Sequence, residues 1–491
     1  MTETIRLEKV DEVFFKIISD RGILREIQEH FTFEIEGAKF HPKVRNKVWD
    51  GKIRLVNLTE QTLYIGLLEE LQRFCDARDY ELEFNNVDFS DTEMSLAEAG
   101  EFMNVLVERA KNKIPDFELR DYQVEAFAHC VRKNRSLMLS PTSSGKSFII
   151  HSICEYYSLP TLIVVDSVAA VHQMAQDLEE YGVHADDIHK IYGSQEKDVD
   201  TRIVISTWQS LMRTNTSTIQ RFDVIIGDEA HHFAAKTFIE LMEKTVSASY
   251  KFGFTGTIKG SKCNTMVLEG LFGRVRDLVK TRKLMDEGYV AEIDLKCIIL
   301  HHTDKDRKEL PKKDINKEID FLIDCEARTR FIRNLAGSLK GNTLVFFQRI
   351  RHGELLAETI QKKFPNKKVI LIHGGVDGEI RNDIRAVIEK EDDIVAVVSY
   401  GTFQTAISIK NIFNMIMAAP TKSKIRILQS IGRGLRMGGK NDKIKIELFD
   451  IADDLSTKSW KNFTLKHFAE RIITYSEEKF RPKIYNVKLK D

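Results

Sequence analysis

Residues 140–147 read SPTSSGKS, a variant of the phosphate-binding pattern G-x-x-x-x-G-K-[ST] in which Ser140 replaces the first glycine. In such a loop, backbone N–H groups contact phosphate oxygens, the lysine reaches the terminal phosphates and the last hydroxyl can ligate Mg²⁺. A serine-rich turn that ends in Gly-Lys-Ser by chance would read the same way. If the loop is genuine, the nucleotide-binding residues are Thr142, Ser143, Ser144, Gly145, Lys146 and Ser147.

An acidic signature further along the chain supports the phosphate-binding interpretation. The segment DVIIGDEAHH is an apolar strand candidate that ends in Asp228 and Glu229. Carboxylates at the C-terminal end of a parallel strand lie at the mouth of the sheet, where phosphate-binding loops also lie. Asp228 would hold Mg²⁺ together with Ser147, and Glu229 would orient and deprotonate an attacking water. The two motifs together predict an ATP-hydrolysing site with ATP and Mg²⁺ as cofactors.

The elements that must position these residues follow an α/β rhythm. From about residue 119, short apolar runs such as TLIVVD and RIVIS alternate with helical periods, and the rhythm restarts after about residue 290. Continuous apolar strands separated by helices predict parallel sheets covered on both faces. The predicted fold class is α/β, with two tandem parallel-sheet lobes, a small α+β N-terminal domain and a C-terminal helical extension. The predicted regions are an N-terminal nucleic-acid-binding module (1–84), a helical connector (85–118), an ATP-binding lobe (119–290), a second lobe (291–455) and a basic helical tail (456–491).

Composition limits the class of protein. A chain of 491 residues exceeds one hydrophobic core, and its 74 basic and 74 acidic residues cancel, so attraction to polyanions must come from local patches. Six cysteines without a C-x-x-C pair predict reduced thiols in a cytoplasmic protein, and they argue against disulfides and against a zinc or iron–sulfur site. The charged stretch 301–319 is typical of a solvated loop. No signal peptide or bilayer-spanning stretch is apparent, so we expect no membrane partner.

The order of the motifs resembles that of superfamily-two helicases, whose second motif corresponds to the DEAH of residues 228–231. The resemblance implies that both lobes are RecA-like. In LRDYQ, it implies adenine contacts by Arg120 and Gln123. In TGT, it implies that Thr255 and Thr257, together with His231, couple ATP hydrolysis to lobe movement.

The same resemblance implies nucleic-acid contacts by Thr207 in STWQSL and by Ser399 in SYGTFQTAISI. Trp208 would stack on a base, although a tryptophan beside an apolar strand is more often part of the core. Ala406 stands where the family usually has glycine. If that position needs a positive φ, alanine costs about 1 kcal/mol there; the alternative is an ordinary backbone.

In the second lobe, the segment QSIGRGLR has the spacing of a catalytic helix face. Gln429, Arg433 and Arg436 occur at i, i+4 and i+7, so they share one face of a helix. Two guanidiniums on that face predict an arginine-finger arrangement toward the γ-phosphate, and we assign all three residues to catalysis with Lys146, Asp228 and Glu229. A solvated basic helix is the alternative, and the absence of a balancing acid in this segment disfavours it.

Cations and an aromatic residue interleave in the N-terminal segment FHPKVRNKVWDGKIRLVNL. Such a pattern on a small β-rich module predicts phosphate contacts and a stacking or wedge group. An alternative is a basic strand face packed around one core tryptophan. The predicted nucleic-acid contacts here are Arg45, Lys47, Trp49, Lys52 and Arg54.

Across nearly its full length, the chain resembles the UvsW-type helicases of tailed phages. The similarity is carried by the N-terminal module, GLLEELQRFC, the variant phosphate-binding loop, KLMDEGYVAEI and the last arginine motif. It implies a monomeric ATP-driven motor acting on branched DNA and RNA–DNA hybrids in the cytoplasm of a host cell, with phage recombination and single-strand-binding proteins as partners. A restriction-type translocating subunit, a dedicated RNA helicase and a non-catalytic nucleic-acid-binding module are the alternatives.

Overall fold

The computed structural model describes residues 3–35, 38–85, 91–141, 143–193, 200–234, 236–258, 262–310, 314–376, 378–406, 411–421, 445–457 and 460–490. Four predicted site residues, Thr142, Gln429, Arg433 and Arg436, lie outside this part of the chain. The chain divides into two compact units. One comprises Met1–Ser140 and Gly145–Leu278, and the other comprises Pro141–Ser144 and Val279–Asp491.

The N-terminal region is a small α+β module, as predicted. Its described residues form a four-stranded mixed sheet in the order β5-β2-β1-β6 and a separate β3–β4 pair. Alternation along the first strand places Ile5 and Leu7 in the core, and the first helix adds Ile23, Leu24 and Ile27. The elements are β1 (Thr4–Lys9), β2 (Phe14–Ile18), α1 (Arg21–His30), β3 (Thr32–Glu34), α2 (Pro42–Arg45), β4 (Lys52–Arg54), β5 (Thr62–Tyr64), α3 (Leu68–Asp76) and β6 (Glu81–Asn85).

The first lobe is a parallel sheet of seven described strands, in the order β13-β7-β12-β11-β8-β10-β9. The connector helix α4 (Leu96–Lys111) precedes it and begins with a Ser95–Glu98 capping box. The lobe contains α5 (Asp121–Lys133), β7 (Arg135–Leu139), α6 (Lys146–Tyr157), β8 (Thr161–Val165), α7 (Val168–Glu180), β9 (Ile188–Ile191), β10 (Ile203–Thr207), α8 (Trp208–Leu211), α9 (Thr216–Gln220), β11 (Val224–Asp228), α10 (Lys236–Met242), β12 (Tyr250–Thr255), α11 (Lys262–Phe272) and β13 (Val275–Asp277).

The N-terminal module and the first lobe share one hydrophobic core, in which Leu7 and Phe15 of the module belong to the same buried cluster as Phe272 of the lobe. The module's Tyr64 hydroxyl donates a 2.6 Å hydrogen bond to Glu243 of the lobe, and burial together with this carboxylate raises the pKa of Tyr64. A Cβ on Gly66 would lie 2.1 Å from the carbonyl oxygen of Glu269, so the two backbones touch.

A buried charge cluster also joins the module to the lobe. The Arg135 guanidinium of β7 donates to the Glu12 carbonyl oxygen at 2.7 Å and to its carboxylate at 3.0 Å. The Lys251 ammonium donates to the same carbonyl oxygen at 2.9 Å, and burial lowers the pKa of Lys251 well below its usual value. The module is therefore part of the first lobe rather than a tethered domain.

The second unit contains another seven-stranded parallel sheet within the described residues, in the order β16-β17-β15-β18-β19-β14-β20. The prediction of two tandem parallel-sheet lobes is confirmed. The elements are α12 (Thr281–Asp286), β14 (Glu292–His301), α13 (Asp304–Glu309), α14 (Ile315–Asp324), α15 (Glu326–Ser338), β15 (Thr343–Phe347), α16 (Ile350–Lys363), β16 (Val369–Ile372), α17 (Gly378–Lys390), β17 (Val395–Ser399), α18 (Tyr400–Ala406), β18 (Asn414–Met417), β19 (Lys445–Asp454), α19 (Phe463–Glu477) and β20 (Lys483–Lys488).

The C-terminal segment differs in part from the helical tail that the sequence indicated. Helix α19 is present, and its Arg471 is buried in a two-bonded ion pair with Asp450 of β19, at 2.8 Å for each bond. Strand β20 then pairs in parallel with β14 and forms one edge of the sheet. The segment therefore completes the second lobe. Among the described residues, none of the helices has the length and apolar character needed to cross a membrane.

Candidate nucleotide site and nucleic-acid contacts

The phosphate-binding loop lies between β7 and α6, as the sequence predicts. Gly145 has φ 77°, and a Cβ there would lie 2.2 Å from the side-chain nitrogen of Gln123, so this position favours glycine. Ser143, at a position that is often glycine in related loops, also has a left-handed backbone, with φ 68°. Ser140 is buried on ordinary backbone, and its N–H donates to the Thr255 carbonyl oxygen at 2.7 Å. Serine is therefore compatible with the first position of the motif.

Lys146 and the two acidic residues of the DEAH motif come together in the first lobe. The ammonium of Lys146 lies 3.1 Å from Asp228 Oδ1 and 3.5 Å from Glu229 Oε1. Burial alone would lower the pKa of Lys146, but the two carboxylates raise it above its usual value. Lys146 is therefore held charged, in ion pairs with both acidic residues of the DEAH motif.

Ser147, the predicted metal ligand, has a partner that sequence reasoning missed. Its hydroxyl lies 3.0 Å from the hydroxyl of Tyr181, which follows α7. The Tyr181 ring packs edge-on against Phe117 and Phe148, and burial raises the pKa of its hydroxyl. No spacing rule links a tyrosine at this position to a phosphate-binding loop, so the sequence carried no signal for this contact.

His231 and the TGT segment form a chain of hydrogen bonds under the site. Thr255 Oγ1 donates to the Thr257 carbonyl oxygen at 2.9 Å, so it accepts from His231 Nδ1, also at 2.9 Å. His231 Nδ1 also lies 3.4 Å from the carboxylate of Glu229. His231 therefore links Thr255 to Glu229, the predicted general base.

Replacing Thr255 with valine should separate ATP hydrolysis from strand separation. The change keeps the shape but removes the 2.9 Å acceptor of the His231 N–H and leaves it only the more distant Glu229 carboxylate at 3.4 Å. We expect a cost of up to about 1–3 kcal/mol in the free energy of unfolding. We expect at least a fivefold loss of base pairs opened per ATP hydrolysed, measured by parallel unwinding and phosphate-release assays. Thr161→Val is the stability control, because the buried Thr161 hydroxyl also donates to a carbonyl oxygen, that of Leu159 at 2.9 Å, and lies outside the predicted coupling residues. Unchanged coupling in Thr255→Val would contradict the assignment.

Gln123 and Arg120, the predicted adenine contacts, lie beside the phosphate-binding loop. Gln123 is buried; its side-chain oxygen accepts from the Arg120 backbone N–H at 3.0 Å, and its nitrogen donates to the Gly145 carbonyl oxygen at 3.4 Å. The Arg120 guanidinium donates to the Tyr122 hydroxyl at 2.6 Å. Gln123 thus braces the loop, and base recognition by the pair stays a prediction.

Two of the predicted strand contacts end parallel strands in their own lobes. Thr207 ends β10 and donates to the Ser210 hydroxyl at 3.0 Å; Ser399 ends β17 and lies 2.7 Å from the Thr402 hydroxyl. Nucleic-acid contact by Thr207 and Ser399 stays a prediction.

Helix α18 ends at Ala406, so alanine there has an ordinary helical backbone and no glycine is required.

The two tryptophans at predicted nucleic-acid contacts have different surroundings. Trp208 packs against the buried Phe238, with ring centroids 5.0 Å apart, which favours the core interpretation of this residue. Trp49 is only half-buried; its indole N–H donates to the Lys52 carbonyl oxygen at 3.0 Å, and His41 packs edge-on against it. Trp49 is therefore a surface residue held in a fixed orientation, and the alternative of a core tryptophan is disfavoured.

The cations around Trp49 are exposed and mostly without acidic neighbours. Arg54 forms a 2.5 Å ion pair with Asp50, and this hydrogen bond lowers the pKa of Asp50 to about 2. Within the part of the chain that the structure describes, no acidic group forms an ion pair with the other cations of this surface, which are Lys43, Arg45, Lys47 and Lys52. We call these four residues together with Trp49 the basic face of the module.

Two parallel-sheet lobes, a phosphate-binding loop and a DEAH strand end define the class: the protein is a superfamily-two helicase motor. Three family models match it: "DNA helicase UvsW, N-terminal" at residues 4–85, "Type III restriction enzyme, res subunit" at 116–260, and "Helicase conserved C-terminal domain" at 326–438. The last match extends over Gln429, Arg433 and Arg436. The ATP-dependent DNA helicase uvsW of Enterobacteria phage T4 is 31% identical over 488 residues, which are 95% of this chain and 96% of that protein. The chain belongs to the UvsW helicase family.

Solved structures agree with this assignment. The crystal structure of T4 UvsW matches with a TM-score of 0.52 and 29% identity, and the match covers 100% of both chains. The structure of S. cerevisiae Dbp5 bound to RNA and ADP BeF3 matches with a TM-score of 0.56 at 10% identity, over 81% of this chain and 96% of that one. The second similarity concerns the fold alone.

Proposed function

We propose that this ATP-dependent DNA helicase remodels branched nucleic acids: it regresses forks, migrates junctions and unwinds D-loops and R-loops in phage recombination, repair and replication. The observation that carries the proposal is the basic face on a module that shares its core with the ATP-binding lobe. Exposed cations beside a fixed aromatic side chain suit a duplex that meets a separated strand. Recombination and single-strand-binding proteins would act on the same substrates.

The fixed module explains why a branch would be the preferred substrate. Buried contacts such as Tyr64–Glu243 and Arg135–Glu12 prevent the module from reorienting on the lobe. A duplex bound to the basic face would therefore keep a constant position relative to the strand contacts of the same lobe. Such a geometry favours substrates in which a duplex and a single strand meet, and it gives no advantage on a single strand alone.

We expect the residues of the predicted nucleotide site to supply the groups that ATP hydrolysis requires. Lys146 would contact the terminal phosphates, and the Glu229 carboxylate would accept the proton of the attacking water. The Ser147 hydroxyl and the Asp228 carboxylate are the hard oxygen donors that suit Mg²⁺, which would neutralise charge on the β- and γ-phosphates when bound. Gln429, Arg433 and Arg436 would stabilise charge on the γ-phosphate.

Comparing substrates in parallel tests the proposed function. ATP turnover and strand separation would be measured with single-stranded DNA, blunt duplex, forked DNA, an R-loop and RNA at one salt concentration, because affinity for nucleic acid depends steeply on salt. We expect the forked DNA and the R-loop to be remodelled at the lowest protein concentrations, with blunt duplex inert. Preferential remodelling of RNA duplexes would support the RNA-helicase alternative and overturn the proposal.

Removing charge from the basic face should flatten the salt dependence of fork binding. Each lost phosphate contact lowers the slope of log affinity against log salt by about 0.9 for duplex DNA. We expect Lys43, Arg45, Lys47 and Lys52, changed together to glutamine, to lower the slope of fork binding by about 2–4, measured by fluorescence anisotropy. Arg54→Gln is the matched control, since Arg54 is already paired with Asp50 and should change the slope little. Equal slopes in all three proteins would show that the face does not contact DNA.

A further inference from the structure

A cluster of three metal-binding side-chain types lies in the second lobe, outside the nucleotide site. His302 follows β14, Asp306 lies in α13, and Cys325 lies between α14 and α15. His302 Nδ1 is 3.6 Å from Asp306 Oδ2 and 3.9 Å from Cys325 Sγ. The three atoms that could act as ligands all lie within 4.8 Å of one another.

The other ring nitrogen of His302 has the partner that metal-binding histidines usually have. Its Nε2 lies 3.0 Å from Asp453 Oδ1, and both side chains are fully buried. The same carboxylate oxygen accepts from the Arg328 guanidinium at 2.9 Å. A buried carboxylate on Nε2 fixes the orientation of the ring and turns Nδ1 toward Asp306 and Cys325.

Asp306 is also held in place by hydrogen bonds, whereas Cys325 is not fully buried. The Asp306 carboxylate accepts from the Thr303 backbone N–H at 3.1 Å and from its hydroxyl at 2.9 Å, which is a capping box at the start of α13. Cys325 is half-buried. The cluster therefore has two ligands in constrained orientations and a thiol that is not fully buried.

We propose that His302, Asp306 and Cys325 bind a Zn²⁺ ion through Nδ1, a carboxylate oxygen and Sγ, with water as the fourth ligand. Sulfur, nitrogen and oxygen donors in a tetrahedral set are typical of zinc, and bonds of about 2.0–2.3 Å place the ligand atoms about 3.3–3.7 Å apart. The separations from His302 Nδ1, 3.6 Å to Asp306 and 3.9 Å to Cys325, would need to shorten by a few tenths of an ångström. The Asp306 oxygen and Cys325 Sγ, which lie within 4.8 Å of each other, would also need to reach this range. Zn²⁺ would replace the proton of the Cys325 thiol and any proton on His302 Nδ1, and these protons would leave to solvent.

The bound ion would join three segments that are distant in sequence: the end of β14, the start of α13 and the junction between α14 and α15. The ion would therefore stabilise the second lobe without taking part in ATP chemistry. The sequence argued against zinc because no cysteine pair is present, but a site with one cysteine leaves no C-x-x-C pattern. His302 and Asp306 also lie in the charged stretch 301–319, and Cys325 lies beyond it. This stretch was predicted to be a solvated loop and instead contains α13.

Cobalt titration of the full chain tests the site directly. Co²⁺ bound by a thiolate gives a near-ultraviolet charge-transfer band, and tetrahedral Co²⁺ gives visible bands. We expect both bands to saturate at about one equivalent of Co²⁺ and to disappear when Zn²⁺ is added. Cys325→Ser should lose the charge-transfer band, and Zn²⁺ should raise the melting temperature of the natural protein but not of this variant.

One variant removes the proposed thiol ligand, and a second controls for metal bound elsewhere. Cys325 is half-buried, so serine should leave the fold intact, as circular dichroism and the metal-free melting temperature would show. His301→Gln is the matched control, because its ring bonds Asp454 and Asn486 instead of the cluster, and it should keep both bands. No charge-transfer band in the natural protein would overturn the proposal. The same band in Cys325→Ser would mean an adventitious ion only and would overturn it as well.

Discussion

Replacing Glu229 with glutamine is expected to lower kcat for ATP hydrolysis by about 10²–10⁴-fold, the usual contribution of a general base. The amide keeps the shape of the side chain but cannot take the proton of the attacking water. Glu229 has an unusual left-handed backbone, with φ 51°, which directs it away from the regular course of β11. Lys146 keeps Asp228 as a partner at 3.1 Å, so the site should remain assembled and ATP should still bind.

Single-turnover hydrolysis and equilibrium ATP binding would be measured on the same preparation. The expected result is a slow chemical step with a dissociation constant for ATP within a few-fold of the natural value. Glu240→Gln is the matched control, because this substitution makes the same charge change on α10. Glu240 forms only a loose ion pair there, with Lys236 at 3.6 Å. Turnover at a near-natural rate in Glu229→Gln would show that another residue activates the water.

Replacing Lys146 with alanine should be at least as damaging, but through a different kinetic parameter. The change removes the charge that contacts the terminal phosphates, and it leaves the carboxylates of Asp228 and Glu229 without the cation that both now face. We expect kcat/KM for ATP to fall by more than about 10³-fold, since both binding and transition-state stabilisation are lost. Because the pKa of Lys146 is raised above its usual value, the loss should be constant across about pH 6–9.

Fork binding without nucleotide is the second measurement for Lys146→Ala. The basic face lies on the N-terminal module, so affinity for forked DNA in the absence of ATP should stay within about twofold. Lys236→Ala is the charge-matched control, with a side chain that is 90% exposed on α10. A parallel loss of DNA affinity without nucleotide would contradict the separation of the two sites.

The sequence predicted those features whose physical cause is local. The apolar runs that form β7, β8, β10 and β11 have the composition typical of buried parallel strands. The location of the motifs at the ends of these strands followed from that arrangement. Gly145 was predictable in the same way, because the phosphate-binding pattern has glycine there and its left-handed backbone favours glycine. Serine at position 140 departs from the general pattern, which has glycine there, but the backbone at this position is ordinary and does not need glycine.

Features that depend on distant contacts could not be predicted. The segment KIYNVK of β20 is mostly exposed, and its strand structure depends on pairing with β14. The contact of Tyr181 with Ser147 and the cluster of His302, Asp306 and Cys325 likewise join residues far apart in the chain. Such contacts need the tertiary fold, because neither spacing nor residue type marks them.

The shared core between the N-terminal module and the first lobe has a consequence for how this family can diversify. The two sides of the junction pack closely against each other. Gly66 contacts the backbone of Glu269, and a Cβ on Gly270 would lie 3.2 Å from the Tyr64 ring. A genetic exchange that replaced residues 1–84 with those of a distant relative would bring together surfaces with clashing side chains and an unmatched Arg135. Such hybrids should misfold unless the lobe residues are inherited with the module. Substrate preference in this lineage would therefore change by substitutions on the basic face rather than by replacement of the whole module.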